Sequence, residues 1–169
     1  MNQLKLMLRK LNTLFLENQQ DAFFIFYPEK IKRILEYFSK EFTGTVIYAV
    51  KANPADCVLE EVIKNGIRSF DVASLKEVKL IRKKLSDSEI YFMNTVKSRS
   101  SIRESYFKYN VRKFSIDSID ELKKIIEETN SANDLVIYLR VSVPNDFSTV
   151  NLSSKSVSYT HLTLPTSVT

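Results

Sequence analysis

The feature that most constrains the fold is a repeat of pattern, not of residues. Apolar, β-branched runs alternate with amphipathic segments along the chain. TVIYAV (45–50), IRSFDVA (67–73), EIYFMN (89–94), VRKFSI (111–116) and DLVIYLRVSV (134–143) read as strands. Between and before them, 28–42, 55–65, 75–85, 101–109 and 118–128 read as helices. The strand centres, near residues 47, 69, 91, 114 and 138, recur every 22 to 24 residues. FFIFY (23–27) reads as a further strand ahead of the first helix. Near-continuous apolar strands between amphipathic helices predict an α/β fold with a parallel sheet covered by helices. An open doubly wound sheet and a (β/α)₈ barrel both satisfy the pattern. Five strands of the series, against eight in a closed barrel, make any barrel here a partial one.

The boundaries carry their own signals. Pro28 and Pro54 suit the first turn of a helix, where a missing N–H costs nothing. Asp117-Ser118 ahead of IDELKKII supplies an N-cap. Asn65-Gly66 after VLEEVIK is a helix-ending pair that tolerates the left-handed conformation.

Composition narrows the functional classes. The net charge of +5 raises nucleic acid as a partner, but Lys and Arg alternate with Glu in stretches such as EYFSKEF and DELKKIIEE. Those are solvated helix faces, and no dense basic stripe accompanies them, so no nucleic-acid partner is expected. A lone cysteine, Cys57, excludes a disulfide framework and a cysteine-based zinc cluster, and no metal is expected. It fits a reducing, cytoplasmic location. No apolar run is long enough to span a membrane. Residues 1–22 read as an amphipathic helix with Leu4, Leu8, Leu11 and Phe15 on one face, not as a signal peptide. Only two glycines, Gly44 and Gly66, are present, too few for a glycine-rich phosphate loop.

In either α/β architecture the active site gathers at the carboxyl ends of the strands. Lys51 lies there, at the end of YAVKANP, with Asp71 and Ser74 in FDVAS, Asn94 and Lys97 after EIYFM, Asp117 after KFSI, and Arg140 in VIYLRV. Lys51 carries the most information. An amine in an apolar setting is made nucleophilic by desolvation and can condense with an aldehyde, although strand-end lysines commonly just reach solvent. Asp71 is read either as a site carboxylate or as a helix cap. Glu77 sits where the helix dipole favours a carboxylate anyway. Arg140, inside an apolar run, calls for a paired partner. Asn94 and Lys97 read as loop residues. Cys57, Tyr48 and Tyr138 read as packing.

YAVKANP, a helix, and then G-x-x-x-x-DVAS-x-x-E together resemble the amino-terminal barrel of the fold type III pyridoxal-phosphate decarboxylases, the family of the ornithine, diaminopimelate and biosynthetic arginine decarboxylases. The resemblance continues through IYFMNTVKS, VRKFSIDSIDEL, VIYLRVSVPNDF and NLSSK, covering roughly Phe23 to Lys155. It implies an alanine racemase-like partial (β/α)₈ barrel, cut after about five strands. It implies pyridoxal 5′-phosphate (PLP) as the cofactor, Lys51 as the catalytic lysine that holds it, and Asp71 and Arg140 as cofactor-site residues. Glu77 matches a neighbouring acidic position, and Lys155 a lysine near a homodimer interface. The short connection from VSVPNDF to NLSSK is similar to the ornithine-type enzymes of polyamine biosynthesis, with an amino acid as the small-molecule substrate. Diaminopimelate decarboxylase, in lysine biosynthesis, and a non-catalytic PLP-binding or partner-binding homologue are the alternatives. Alanine racemases continue K-A-N-A-Y-G, whereas here Asn53 is followed by Pro54, Ala55 and Asp56.

The family pattern breaks off after Lys155, where Phe-Gly would follow. SVSYTHLTLPTSVT stands there instead and resembles the translation of a transposon-derived sequencing adapter. The chain then divides into an N-terminal helix (1–22), a partial PLP-binding domain (23–155) and a non-native tail (156–169). His161 is no ligand on this reading, and a chain lacking the later glycine loop is expected to be inactive alone.

Overall fold

The structure, a computed structural model, describes residues 24–141 and, ahead of them, positions 9–11, 13 and 16. Most of the expected N-terminal helix, Phe23, Lys155, and the tail with His161 lie outside the described residues.

The described chain runs α1 (Pro28–Glu41), β1 (Ile47–Ala49), a 3₁₀ turn (Val50–Ala52), α2 (Asp56–Lys64), β2 (Ser69–Val72), α3 (Leu75–Lys84), β3 (Glu89–Phe92), α4 (Arg99–Tyr109), β4 (Lys113–Ile116), α5 (Ile119–Glu128) and β5 (Val136–Leu139). All five strands are parallel and stand in the order β1-β2-β3-β4-β5. Right-handed crossovers that each advance one position in the same direction never reverse the winding. A doubly wound sheet requires such a reversal, so this order is the arc of a (β/α) barrel.

One cluster joins the helices to the sheet. Leu35 of α1, Val58, Leu59 and Val62 of α2, Val78 and Ile81 of α3, Ile102 of α4 and Ile125 of α5 pack with Phe70, Val72, Ile90, Phe92, Phe114 and Ile116. Phe70, Phe92 and Phe114 are at most 1% exposed. Each such side chain contributes about 2–3 kcal/mol by leaving water. Serine caps begin three helices: Ser74 accepts from the Glu77 N–H, Ser98 from the Ser101 N–H and Ser118 from the Glu121 N–H. Gly66 ends α2 with φ of +95°, where any side chain would be strained.

The strands are not apolar throughout, as their composition suggested. Only alternate residues face the helices. The opposite face carries Ser69, Asp71, Glu89, Tyr91, Lys113 and Ser115. There Glu89 accepts from Ser69 Oγ at 3.0 Å and from the Tyr91 hydroxyl at 2.8 Å, and it pairs with Lys113. The polar residues are tolerated because they pair with one another.

Three local expectations are corrected. Residues 24–27 form no strand, and Phe24 is fully exposed; β-branched and aromatic composition does not make a strand without a partner. Pro54 lies two positions ahead of α2, not in its first turn, and Asn53 there accepts from the Ala55 N–H. Cys57 is exposed, because α2 turns Val58, Leu59 and Val62 inward instead.

Candidate active site

The carboxyl ends of the strands bring the predicted residues onto one rim. β1 ends at Ala49, and a single 3₁₀ turn carries Lys51 beyond it. Tyr48 anchors that turn from below: its hydroxyl donates to the Asn53 carbonyl at 3.1 Å. Lys51 is exposed, not packed in the apolar setting expected for it, and none of the ion pairs among the described residues involves it. Its amine is therefore reachable and unengaged there.

Asp71, on the adjacent strand and paired in register with Ala49, is half-buried. Burial pushes its carboxyl above the usual range; Lys51 and then Arg140 draw it down, while Glu77 adds to the rise. Glu77 itself serves the backbone: its carboxylate accepts from the Ala73 N–H at 2.7 Å, locking the turn of the DVAS motif in a variant of the capping box.

Among the described residues Arg140 has no carboxylate partner of the kind its place in an apolar run called for. It is half-exposed, and its guanidinium donates to the Met93 carbonyl at 3.2 Å. β5 presents the residue on the polar face, where desolvation is partial and a carbonyl suffices.

Lys97, placed on the rim by the sequence but read there as a loop residue, is instead buried. Its side chain is 0% exposed. The ammonium donates to the Asn94 carbonyl at 2.8 Å and the Ser115 carbonyl at 2.6 Å, and stands 2.9 Å from Glu121 Oε1. Burial pushes it down, with Glu121 opposing. Glu121 lies 24 residues further along the chain, on α5, so no local pattern around Lys97 points to this pairing. Asn94 is exposed, but its side-chain amide donates to the Ala73 carbonyl at 3.2 Å and ties the β3 loop to the DVAS turn. Asp117 is buried at the end of β4.

The residues present fit PLP. An exposed amine at Lys51 suits an aldehyde, and Asp71 supplies a partly desolvated carboxylate. Ser115 Oγ, on the same face of the sheet, is buried with no hydrogen-bond partner among the described residues, a vacancy that a polar ligand or water would fill. Among the described residues no glycine-built phosphate cradle accompanies them. Gly44 and Gly66 precede β1 and β2 and so lie at the opposite, amino ends of the strands. An apolar cavity of about 490 Å³ between α1 and β1, lined by Ile31, Leu35, Phe38, Val46, Tyr48 and Val58 among others, touches neither Lys51, Asp71 nor Arg140. Among the described residues no group of His, Cys, Asp and Glu could hold a metal, and no helix is long and apolar enough to cross a membrane.

Comparison with known proteins agrees with this geometry. The chain is 33% identical over 111 residues to a lysine/ornithine decarboxylase of Selenomonas ruminantium, a match covering 65% of this chain and 27% of that protein. The structure resembles that of the Selenomonas ruminantium lysine decarboxylase in complex with PLP and cadaverine, with a TM-score of 0.70, 23% identity, and coverage of 82% of this chain and 35% of that one. It also resembles the arginine decarboxylase of Paramecium bursaria Chlorella virus bound to agmatine, with a TM-score of 0.72, 23% identity, and coverage of 88% and 40%. At these identities the two structures establish the shared fold. The family model described as "Pyridoxal-dependent decarboxylase, pyridoxal binding domain" matches residues 28–159, reaching past Lys155. A partial barrel whose rim carries Lys51, Asp71 and Arg140, matched by that model over most of its length, belongs to the pyridoxal-dependent decarboxylase family, as its pyridoxal binding domain.

Proposed function

We propose that this chain is the cofactor-holding part of a PLP-dependent decarboxylase acting on a basic amino acid. The observation that carries the reading is the placement of Lys51, one 3₁₀ turn beyond β1, Asp71 of β2 and Arg140, just past β5, on the carboxyl-end rim of one parallel sheet. PLP, when bound, supplies an electron sink for the carbanion left by loss of CO₂. Lys51 binds the cofactor covalently through its Nζ. Asp71 and Arg140 orient it, with the carboxylate balancing positive charge above the sheet. Glu77 keeps the 71–74 turn in place.

The substrate reading is ornithine first, resting on the short VSVPNDF–NLSSK connection; the relatives named for lysine, ornithine and arginine support the basic class. With it go polyamine biosynthesis, a cytoplasmic location and a homodimer. Residues 156–169 are proposed to be foreign sequence, so that Lys155 ends the native part. Because neither glycine stands at the carboxyl ends of the strands, the chain by itself is expected to release no CO₂.

The test is reductive trapping. The protein is incubated with PLP, reduced with borohydride and mapped by peptide mass. The expected adduct is on Lys51 and is lost in Lys51→Ala. Label spread evenly over surface lysines, and unchanged in that variant, would sink the proposal. For the full-length protein, CO₂ release from ornithine, lysine, arginine and diaminopimelate then ranks the substrates.

A further inference from the structure

Lys97 is buried at the carboxyl ends of β3 and β4, on the helix side of the sheet, with its ammonium 5.8 Å from the Phe92 ring. Burying an ammonium and a carboxylate seldom stabilises a fold more than an apolar pair of the same size would. The pair calls for another account, and its hydrogen bonds supply one. Lys97 takes the carbonyls of Asn94 and Ser115. Arg140 takes the carbonyls of Met93, through its side chain, and Ile116, through its own N–H at 2.8 Å. The two cations therefore grip adjacent residues on the same two strand ends, Lys97 from the helix side and Arg140 from the polar side. Asn94 extends the connection to Ala73, and the Met93 N–H donates to the Val72 carbonyl at 3.0 Å, so the same loop is fastened to the strand that presents Asp71.

We infer that Lys97 is a positioning residue of the cofactor site: its two carbonyl bonds hold the ends of β3 and β4 at the separation that Arg140 and the 71–74 turn require. Glu121 neutralises the buried charge and is not itself what fixes the rim. The inference rests on the functional reading above, in which Arg140 and Asp71 orient PLP.

Two variants of the full-length protein that carries this chain test it. Lys97→Met/Glu121→Leu removes the carbonyl bonds together with both members of the buried ion pair; Lys124, which pairs with the other oxygen of Glu121 at 2.5 Å, is partly exposed and is left to solvent. Glu121→Gln keeps the ammonium on its two carbonyls. Each is compared with the unsubstituted protein in Tm, in PLP affinity from the visible absorbance of the bound cofactor, and in amide hydrogen exchange measured without PLP. The double variant is expected to keep its Tm while its Kd for PLP rises at least roughly tenfold, since small misplacements of site groups carry large penalties. Exchange should quicken at residues 72–74, 93–96 and 140 and stay unchanged in the middle of α5. Glu121→Gln should lose Tm but hold its Kd near the starting value.

A double variant with unaltered Kd and unaltered exchange overturns the inference. So does a Glu121→Gln protein that has lost affinity and rim protection along with stability, because the ion pair and not the carbonyl bonds would then be what matters. Should the double variant not fold, the Glu121→Gln comparison decides alone. Should the unsubstituted protein take no PLP at Lys51, the functional reading falls, and the exchange data still decide whether Lys97 holds the rim.

Discussion

The two faces of the same five strands are built on opposite terms. On the helix side Phe70, Phe92, Phe114 and Val72 are closed from water and pack in the apolar cluster, with the Lys97 ammonium over the Phe92 ring at its edge. On the other side Ser69, Glu89, Tyr91 and Lys113 satisfy one another, and Asp71 waits half-buried with an unsettled charge. The helix face supplies stability and reaches the rim through the buried Lys97. The polar face is where stability is given up locally for a group that can act.

Breaking the helix face should give the largest effect on folding. Phe114→Ala leaves a cavity beneath β4 and should cost about 3–5 kcal/mol in urea unfolding. The PLP affinity of the fraction that stays folded should be unchanged; a specific loss of affinity there would merge the two faces into one functional unit.

The polar face should respond in the reverse sense. A carboxyl raised in the folded state contributes stability that is fully present below its unfolded pKa and is lost as pH rises through the folded value. For Asp71, raised chiefly by burial, Asp71→Asn should leave Tm nearly unaltered in acid and raise it increasingly as pH climbs through the carboxyl's titration, while weakening PLP binding. A fall in Tm at pH 7 would mean that Lys51 and Arg140 outweigh desolvation.

The smallest effect is expected at the far end of the polar face. The Lys113–Glu89 pair is partly open to water, with Glu89 side-chain exposure of 45%, and Lys113→Met should change stability by about 0–1 kcal/mol, less at high salt. A larger change would show that this network helps hold the sheet's curvature.

Much of this was legible in the chain. The 22-to-24-residue spacing fixed the number and direction of the strands, because each crossover must pass a helix before a parallel strand can pair. Ser118 marked the start of α5 through local chemistry alone, whereas Ser98 begins α4 two residues ahead of the start expected at 101. Lys51 and Asp71 could be placed on one rim because any parallel sheet collects its loops at the carboxyl ends. FFIFY was misread for the converse reason: its composition suits a strand, but pairing needs a partner far along the chain or outside the described residues.

What the sequence by itself determined is local and periodic: where strands and helices fall, which turns carry Lys51 and Asp71, and which residues are spaced to face one way. Tertiary structure settled the order of the strands, which periodicity left open between a doubly wound sheet and the barrel arc that the family resemblance implied, and it decided the fate of each charge. Lys51 and Lys97 are both lysines shortly after a strand, yet one is exposed and the other is sealed among two carbonyls and a carboxylate from α5. Nothing within a few residues of either distinguishes them, because desolvation and pairing are set by groups that folding brings in from elsewhere in the chain.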